Sequence, residues 1–223
     1  MKKVFGFGVA TTMVIGGAAS ADVLYDNPVG GSGTIVNQEF ADAAAYSTYL
    51  VADFNVPGAL GYNLTSVVAP MTVNALWGGI TTARLHLFSV TGALPDNVLD
   101  DPTVSMIVPV SYDVQTGVLS TVGLFIPAVA PGNYWIGLTA IGEFGVFGQA
   151  FTLEGLNANG NPDAVRNPGA APAFPFGPDW GAIQDFSVIV DFALTVEGDE
   201  VPAPGALALL GVAGLVTRRR RRR

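Results

Sequence analysis

Apolar side chains occupy every second position of Phe186-Ser187-Val188-Ile189-Val190-Asp191-Phe192-Ala193-Leu194-Thr195-Val196. A period of two is the geometry of a strand with one face on a core. The pattern repeats in Leu50, Ala52, Phe54 and Val56, with Tyr49, Asp53 and Asn55 on the other face. It recurs in Ala83, Leu85 and Leu87, with Arg84 and His86 opposite. Further strands are expected near Thr34–Phe40, Ser66–Trp77, Val104–Tyr112, Val118–Val129, Asn133–Ile141 and Phe147–Leu153. Pro131-Gly132-Asn133 and Gln115-Thr116-Gly117 read as turns between them. Only Ala41–Tyr46 suggests a helical turn, and no amphipathic helix of three turns is evident. The pattern therefore predicts an all-β fold, an antiparallel β-sandwich of jelly-roll type, rather than a barrel or an α/β domain. The stretch Gly155–Pro178, dense in Gly, Pro, Asn and Ala, is too long for a hairpin and is expected to be a surface loop.

Composition agrees with strands and tight turns. Gly (28) and Pro (15) are abundant while charged residues make up 13% of the 223, which disfavours long exposed helices. Half the residues are hydrophobic, enough for the core of one ordinary domain. Cysteine is absent, which removes disulfides, thiolate metal sites and cysteine nucleophiles. The formal charge of -8 hides an asymmetry: all 18 carboxylates lie between Asp22 and Glu200, where only Arg84 and Arg166 oppose them, a net −16. Such a surface repels nucleic acid and anionic lipid and attracts divalent cations or cationic partners. Its plainest use is solubility outside a cell.

The two ends carry the basic residues and read as addresses. Lys2 and Lys3 precede an apolar run from Val4 to Ala19, and Ala19-Ser20-Ala21 places small residues ahead of Asp22. A basic n-region, a short apolar run and small residues at −3 and −1 are what signal peptidase requires, so cleavage is expected between Ala21 and Asp22. At the other end, Val201 through Thr217 is an apolar span of 17 residues, short for a bilayer helix. It is followed by Arg218, Arg219, Arg220, Arg221, Arg222 and Arg223, a cytoplasmic stop that fixes the end of the span. Pro202 and Pro204 stop helix from extending outward and leave an accessible extended peptide.

That tail, Val201-Pro202-Ala203-Pro204-Gly205 followed by an apolar span and an arginine cluster, resembles a PEP-CTERM sorting tail. Ala203 stands where the name-giving pattern has Glu, which makes this the VPxPG variant. The resemblance implies recognition by a membrane protease-transferase, an exosortase, of matching preference. Several internal pieces (ADFNVP, RLHLFSVTGALPDN, PGNYWIGL and DFALTVEG) resemble a loosely defined β-sandwich of exported proteins with such tails, a likeness that implies fold alone.

Within the domain no residue set announces catalysis. His86 is the sole histidine, placed mid-strand beside Arg84 without a GxSxG elbow, so it is assigned a solvated or cross-strand structural position. Glu143, Glu154, Asp179 and Asp185 supply carboxylates for glycoside hydrolysis, but among eighteen some pair is inevitable. Asn157, Asn159, Asn161 and Asp163 alternate in one loop, and Asp96, Asp100 and Asp101 cluster in another, so either offers oxygens to calcium. Neither fits an EF-hand loop: Gly160 falls at position four instead of six and no Glu closes the loop, so turn-rich loops without a cofactor are expected. Trp77, Trp135, Trp180 and Tyr134 suit stacking on sugar rings, although tryptophans in a sandwich are more often core. The Asn63-Leu64-Thr65 sequon reads as incidental.

Taken in order along the chain, residues 1–21 are expected to be a signal peptide, 22–198 a β-sandwich domain and 199–223 a sorting tail. The expected function is that of a non-enzymatic cell-surface or extracellular-matrix protein, transiently membrane-inserted through its tail, with signal peptidase and an exosortase-like enzyme as partners. The alternatives are an extracellular carbohydrate-binding module taking polysaccharide, and a surface protein anchored permanently by the same tail. A secreted hydrolase is the third class, since catalytic carboxylates leave no unique trace in a sequence.

Overall fold

The computed structural model describes residues 21–73, 79–156, 159–187, 189 and 191–203. The signal segment through Ser20, Trp77, Asn157 and the tail from Pro204 lie outside them, and so do the expected signal and membrane helices. Among the described residues no helix is long and apolar enough to cross a membrane.

The chain is predominantly strand. In order the strands are β1 (Asp22–Asn27), β2 (Val29–Val36), β3 (Gln38–Phe40), β4 (Tyr49–Val56), β5 (Tyr62–Val73), β6 (Thr82–Ser89) and β7 (Met106–Asp113). They continue as β8 (Val118–Thr121), β9 (Ile126–Val129), β10 (Gly132–Gly142), β11 (Ala150–Gly155), β12 (Ala164–Arg166), β13 (Gly181–Ala182) and β14 (Leu194–Glu200). Among the described residues one short helix, α1 (Phe144–Phe147), and 3-10 turns at Ala44–Tyr46, Pro102–Val104 and Ile183–Asp185 interrupt them.

The strands form one curled sheet in the order β1-β14-β5-β8-β7-β6-β10-β4-β12-β13, with β2 joined through β11, β9 beside β5 and β3 beside β10. Among the described residues every strand pairing is antiparallel except β3 with β10. The curl turns at β7, whose first half pairs with β6 (Arg84↔Ile107) and whose second half pairs with β8 (Tyr112↔Leu119). The two arms thereby face each other and share one core. Leu64, Val67 and Ala69 of β5 and Leu194 and Val196 of β14 meet Leu50, Phe54, Leu85, Ile136 and Leu138 from the other arm. Each of the large buried side chains contributes roughly 1.5–3 kcal/mol by leaving water.

The second arm is buried on both faces. Tyr49 and Val51 of β4 and Trp135 of β10 point away from the main core and pack with Ala164 and Trp180 into a second apolar cluster. Gly137 lies between β4 and β6 on that arm, where a Cβ would meet the Leu50 carbonyl oxygen at 2.0 Å. Only hydrogen fits there.

Several expectations are corrected by these contacts. The Gly155–Pro178 stretch is no plain surface loop: its Ala164–Arg166 part adds β12 to β4, and Asp163, Asn167, Ala171 and Phe176 are buried. Of the two readings given to His86 the structure shows the cross-strand one: it is 0% exposed and bonds Thr139 on β10 and Ser105, and Arg84 is buried against Glu39 and Ser105. The strand expected over Phe186–Val196 starts only at Leu194, since Ile183–Asp185 forms a 3-10 turn and the Phe192 N–H bonds the Asp163 carboxylate instead of a ladder carbonyl. The strand expected over Val118–Val129 divides into β8 and β9 around Gly123, whose φ of 63° takes the chain out of the extended region. The Thr34–Phe40 strand divides at Asn37, whose side chain donates to Leu138 O where the chain passes from β11 to β10. Phe147 belongs to α1, so the strand expected from Phe147 starts at Ala150.

The first and last strands are neighbours: Asp22 lies opposite Gly198 and Asn27 opposite Leu194. β14 continues to Glu200, opposite Tyr62, and the Val201 N–H then donates to Gly61 O at 3.0 Å. Pro202 and Ala203 beyond it are exposed.

Candidate functional site

The loop that leaves β11 crosses the outer face of β4 and brings distant carboxylates together. Asp53 projects from β4, half-buried. Asn159 Nδ2 donates to its Oδ1 at 2.7 Å and to its backbone oxygen at 2.8 Å, and Asn161 Nδ2 donates to its Oδ2 at 3.0 Å. Two residues on, Asp163 is wholly buried just before β12. Its Oδ2 accepts from the Phe192 N–H at 2.7 Å and its carbonyl from the Ile183 N–H at 2.8 Å, so it ties two segments of the 155–193 excursion to β4.

Asp163 Oδ1 and both oxygens of Asp191 are buried without a hydrogen-bond partner, as is the hydroxyl of Tyr25 on β1. Burial, then the Asp191 charge, pushes the Asp163 carboxyl well above the usual carboxylate range. Burial pushes Asp191 up to about 6, with the Asp53 charge adding to it and the nearby Asp163 N–H working against it. The Tyr25 hydroxyl is driven up by burial and by the charges of Asp163, Asp191 and Asp53, so all three carboxylates act on one buried locus. Two buried carboxylates without a counterion are costly unless a proton or a cation neutralises them. Among the described residues, no group of three or more His, Cys, Asp or Glu side chains is placed to hold a metal ion.

The other acidic cluster is satisfied from within. Asp96 Oδ1 accepts from the N–H groups of Val98 and Leu99, Asp100 Oδ2 from that of Asp96, and Asp101 Oδ1 from the N–H and hydroxyl of Thr103. These bonds hold the Asp96 carboxyl below its ordinary range. They are turn and cap bonds, which leave no oxygen demanding a cation.

His86 sits at the centre of a hydroxyl relay that its sequence position did not announce. Nδ1 lies 2.9 Å from Ser105 Oγ, Nε2 lies 3.1 Å from Thr139 Oγ1, and Thr139 Oγ1 donates to Asn37 Oδ1 at 2.7 Å. Ser105 also faces a groove lined by Leu85, Leu87, Phe88, Val104 and Met106. The arrangement resembles a serine–histidine pair in outline only. Burial, and then Arg84, pushes the imidazole down to about 3, so it is a poor base at neutral pH, and a hydroxyl rather than a carboxylate stands behind it. Arg84 itself is committed to a bidentate pair with Glu39 and to Ser105 O.

Of the remaining sequence candidates, Glu154 Oε2 accepts from the Gly33 N–H at 3.0 Å. Trp135 and Trp180 are 3% and 4% exposed, and Trp180 Nε1 donates to Asp100 O, so neither offers a face to a sugar ring. Tyr134 is half-buried and its hydroxyl donates to Ala130 O. Asn63 lies within β5, its side chain accepting from the Ala128 N–H. Of the alternating loop residues, Asn159, Asn161 and Asp163 do converge, but on Asp53 and Asp191 from elsewhere in the chain. The signal that pointed to them was the Asn-x-Asn-x-Asp spacing. Nothing in the sequence pointed to Asp53, Asp191 or Tyr25.

Compared with protein-family models, with curated proteins and with solved structures, the chain matches none.

Proposed function

We propose that the chain is an exported cell-surface or extracellular-matrix protein, non-enzymatic, whose β-domain is delivered by a signal peptide and processed through its PEP-CTERM-like tail by an exosortase-like enzyme. The observation that carries this reading is the fit between the two sequence addresses and the ladder ends. β1 begins at Asp22, the residue after the expected cleavage point, and β14 ends at Glu200, just before Pro202. Removal of everything before Asp22 and after about Pro202 leaves the β1–β14 and β14–β5 ladders whole. The Val201 N–H is anchored to Gly61 O, and Pro202 and Ala203 beyond it are exposed, as access by a processing enzyme requires. In this reading the two facing arms of the curled sheet are the layers of a jelly-roll-like sandwich, and the acidic surface keeps the domain soluble.

Intact-mass measurement on protein from cell envelopes and culture medium tests the proposal. The expected species starts at Asp22 and ends near Pro202-Ala203-Pro204. A mature species that retains Met1 overturns export by a cleaved signal, and one that ends in Arg223 overturns processing in favour of a permanent tail anchor.

A further inference from the structure

We infer that Asn159 is a site of spontaneous deamidation, and that its conversion to a carboxylate unlatches the loop after β11 from β4. Asn159-Gly160 is the sole Asn-Gly step of the sequence. Both residues are exposed, Gly160 has a φ of 79°, and a Cβ built on it would meet nothing within 4 Å, so that side of the turn is open. Asn159 Oδ1 accepts from the Asn161 N–H at 3.0 Å, which folds the side-chain amide back over the Gly160 peptide and polarises its carbonyl toward attack. Elsewhere the attacking nitrogen is blocked. Asn27, Asn161 and Asn167 precede prolines, whose nitrogen has no proton to lose, and Asn55 and Asn97 precede valines, whose branched Cβ crowds the approach.

The step balances with water as the only co-reactant. The Gly160 nitrogen loses its proton and bonds to Asn159 Cγ, the Cγ–Nδ2 bond breaks, and ammonia leaves with that proton as a cyclic imide closes. Water then opens the ring at either carbonyl and gives aspartate or isoaspartate at that position. The consequence follows from what the amide holds. Asn159 Nδ2 donates to Asp53 Oδ1 at 2.7 Å and to Asp53 O at 2.8 Å, and together with the Asn161 amide these bonds tie the loop to β4. A carboxylate in that place has no proton to donate and sets a second negative charge against Asp53, in a domain where two arginines already face 18 carboxylates. The released stretch leads into β12, which pairs with β4 from Ala164↔Val51 to Arg166↔Tyr49.

Peptide mapping by mass spectrometry of the full chain, aged at mildly alkaline pH beside a free peptide spanning Leu156–Val165, tests the site. The amide-to-acid mass gain is expected at Asn159 ahead of every other asparagine, in both aspartate and isoaspartate forms. An intact Asn159 amide after the free peptide has converted overturns the site, and so does earlier conversion at another asparagine. Trypsin reads the latch, because Arg84 and Arg166 are its only cleavage points between Asp22 and Glu200 and Arg166 lies in β12. Asn159→Asp is expected to speed cleavage after Arg166 by about tenfold. Adding Asp53→Asn should restore the slow rate, since donor and acceptor have then changed sides. Cleavage of Asn159→Asp at the wild-type rate overturns the latch, and fast cleavage undiminished in the double variant overturns its dependence on Asp53.

Discussion

The Ser105 hydroxyl donates to Nδ1 of His86 at 2.9 Å. The direction follows from the far side of the ring: Thr139 spends its proton on Asn37, so its oxygen accepts from Nε2–H, and Nδ1 is left as the acceptor. The imidazole is thus a neutral structural strut between β6, β10 and the Ser105 turn. It should stay neutral at pH 5, well below the ordinary titration of histidine, because burial and Arg84 push it down to about 3. The imidazole shifts in an NMR titration check this, and a midpoint near 6.5 would contradict the buried relay.

His86 depends on the cover over the outer face. Phe88 lies 5.9 Å from the His86 ring and 6.3 Å from Trp180, ring centroid to ring centroid, and Trp180 Nε1 fastens the cover to Asp100 O. Trp180→Ala should cost about 3–5 kcal/mol in urea unfolding. It should also let water reach the imidazole and move its titration up toward the ordinary value, a coupling that simple loss of packing elsewhere would not produce.

Gly137→Ala should destabilise by about 3 kcal/mol, because the new methyl would lie 2.0 Å from the Leu50 carbonyl oxygen in the middle of three paired strands. Gly123→Ala is the control. Its Cβ would meet nothing within 4 Å, so only the left-handed backbone matters there, with an expected loss of about 1–2 kcal/mol. Urea midpoints of the two variants give the comparison.

The alternating positions of β4 and β10 could be read from sequence because each strand's inner face is apolar at every second residue. The outer face could not. Tyr49, Val51 and Trp135 look like a mixed solvent face until Ala164 and Trp180 of the 155–186 excursion pack on them, and that excursion is written in Gly, Pro and Asn, the composition of an exposed loop. The same origin explains Phe186 and Ile189, which were expected in a strand and pack individually instead, Phe186 against Phe176 and Ile189 in the core. The acidic site was half legible. Spacing revealed Asn159, Asn161 and Asp163, whereas Asp53 and Asp191 lie 110 and 28 residues from Asp163 and are brought near it by the β12–β4 pairing and by the Phe192 N–H bond to Asp163, respectively.

In metal-free buffer the protein should become more stable as pH falls from about 8 to about 5. Asp163 and Asp191 have folded-state pKa values raised above their unfolded values, mainly by burial. The folded protein therefore binds more protons than the unfolded chain in the window between those values. The destabilisation from their charges is full above the folded pKa, about 6 for Asp191, and is relieved as pH drops through it toward the unfolded carboxylate range near 3.8. His86 opposes this trend, since its lowered pKa makes stability fall as pH drops below the ordinary histidine value. The carboxyl contribution is isolated by difference: Tm against pH for wild type minus Tm for Asp191→Asn, both in EDTA. Asp191→Asn is expected to be the more stable of the two at pH 8 by roughly 4 °C, with the gap closing by pH 5. Parallel curves at all pH values would mean that Asp191 titrates alike in the folded and unfolded chains, and its burial without a counterion would then have no energetic consequence.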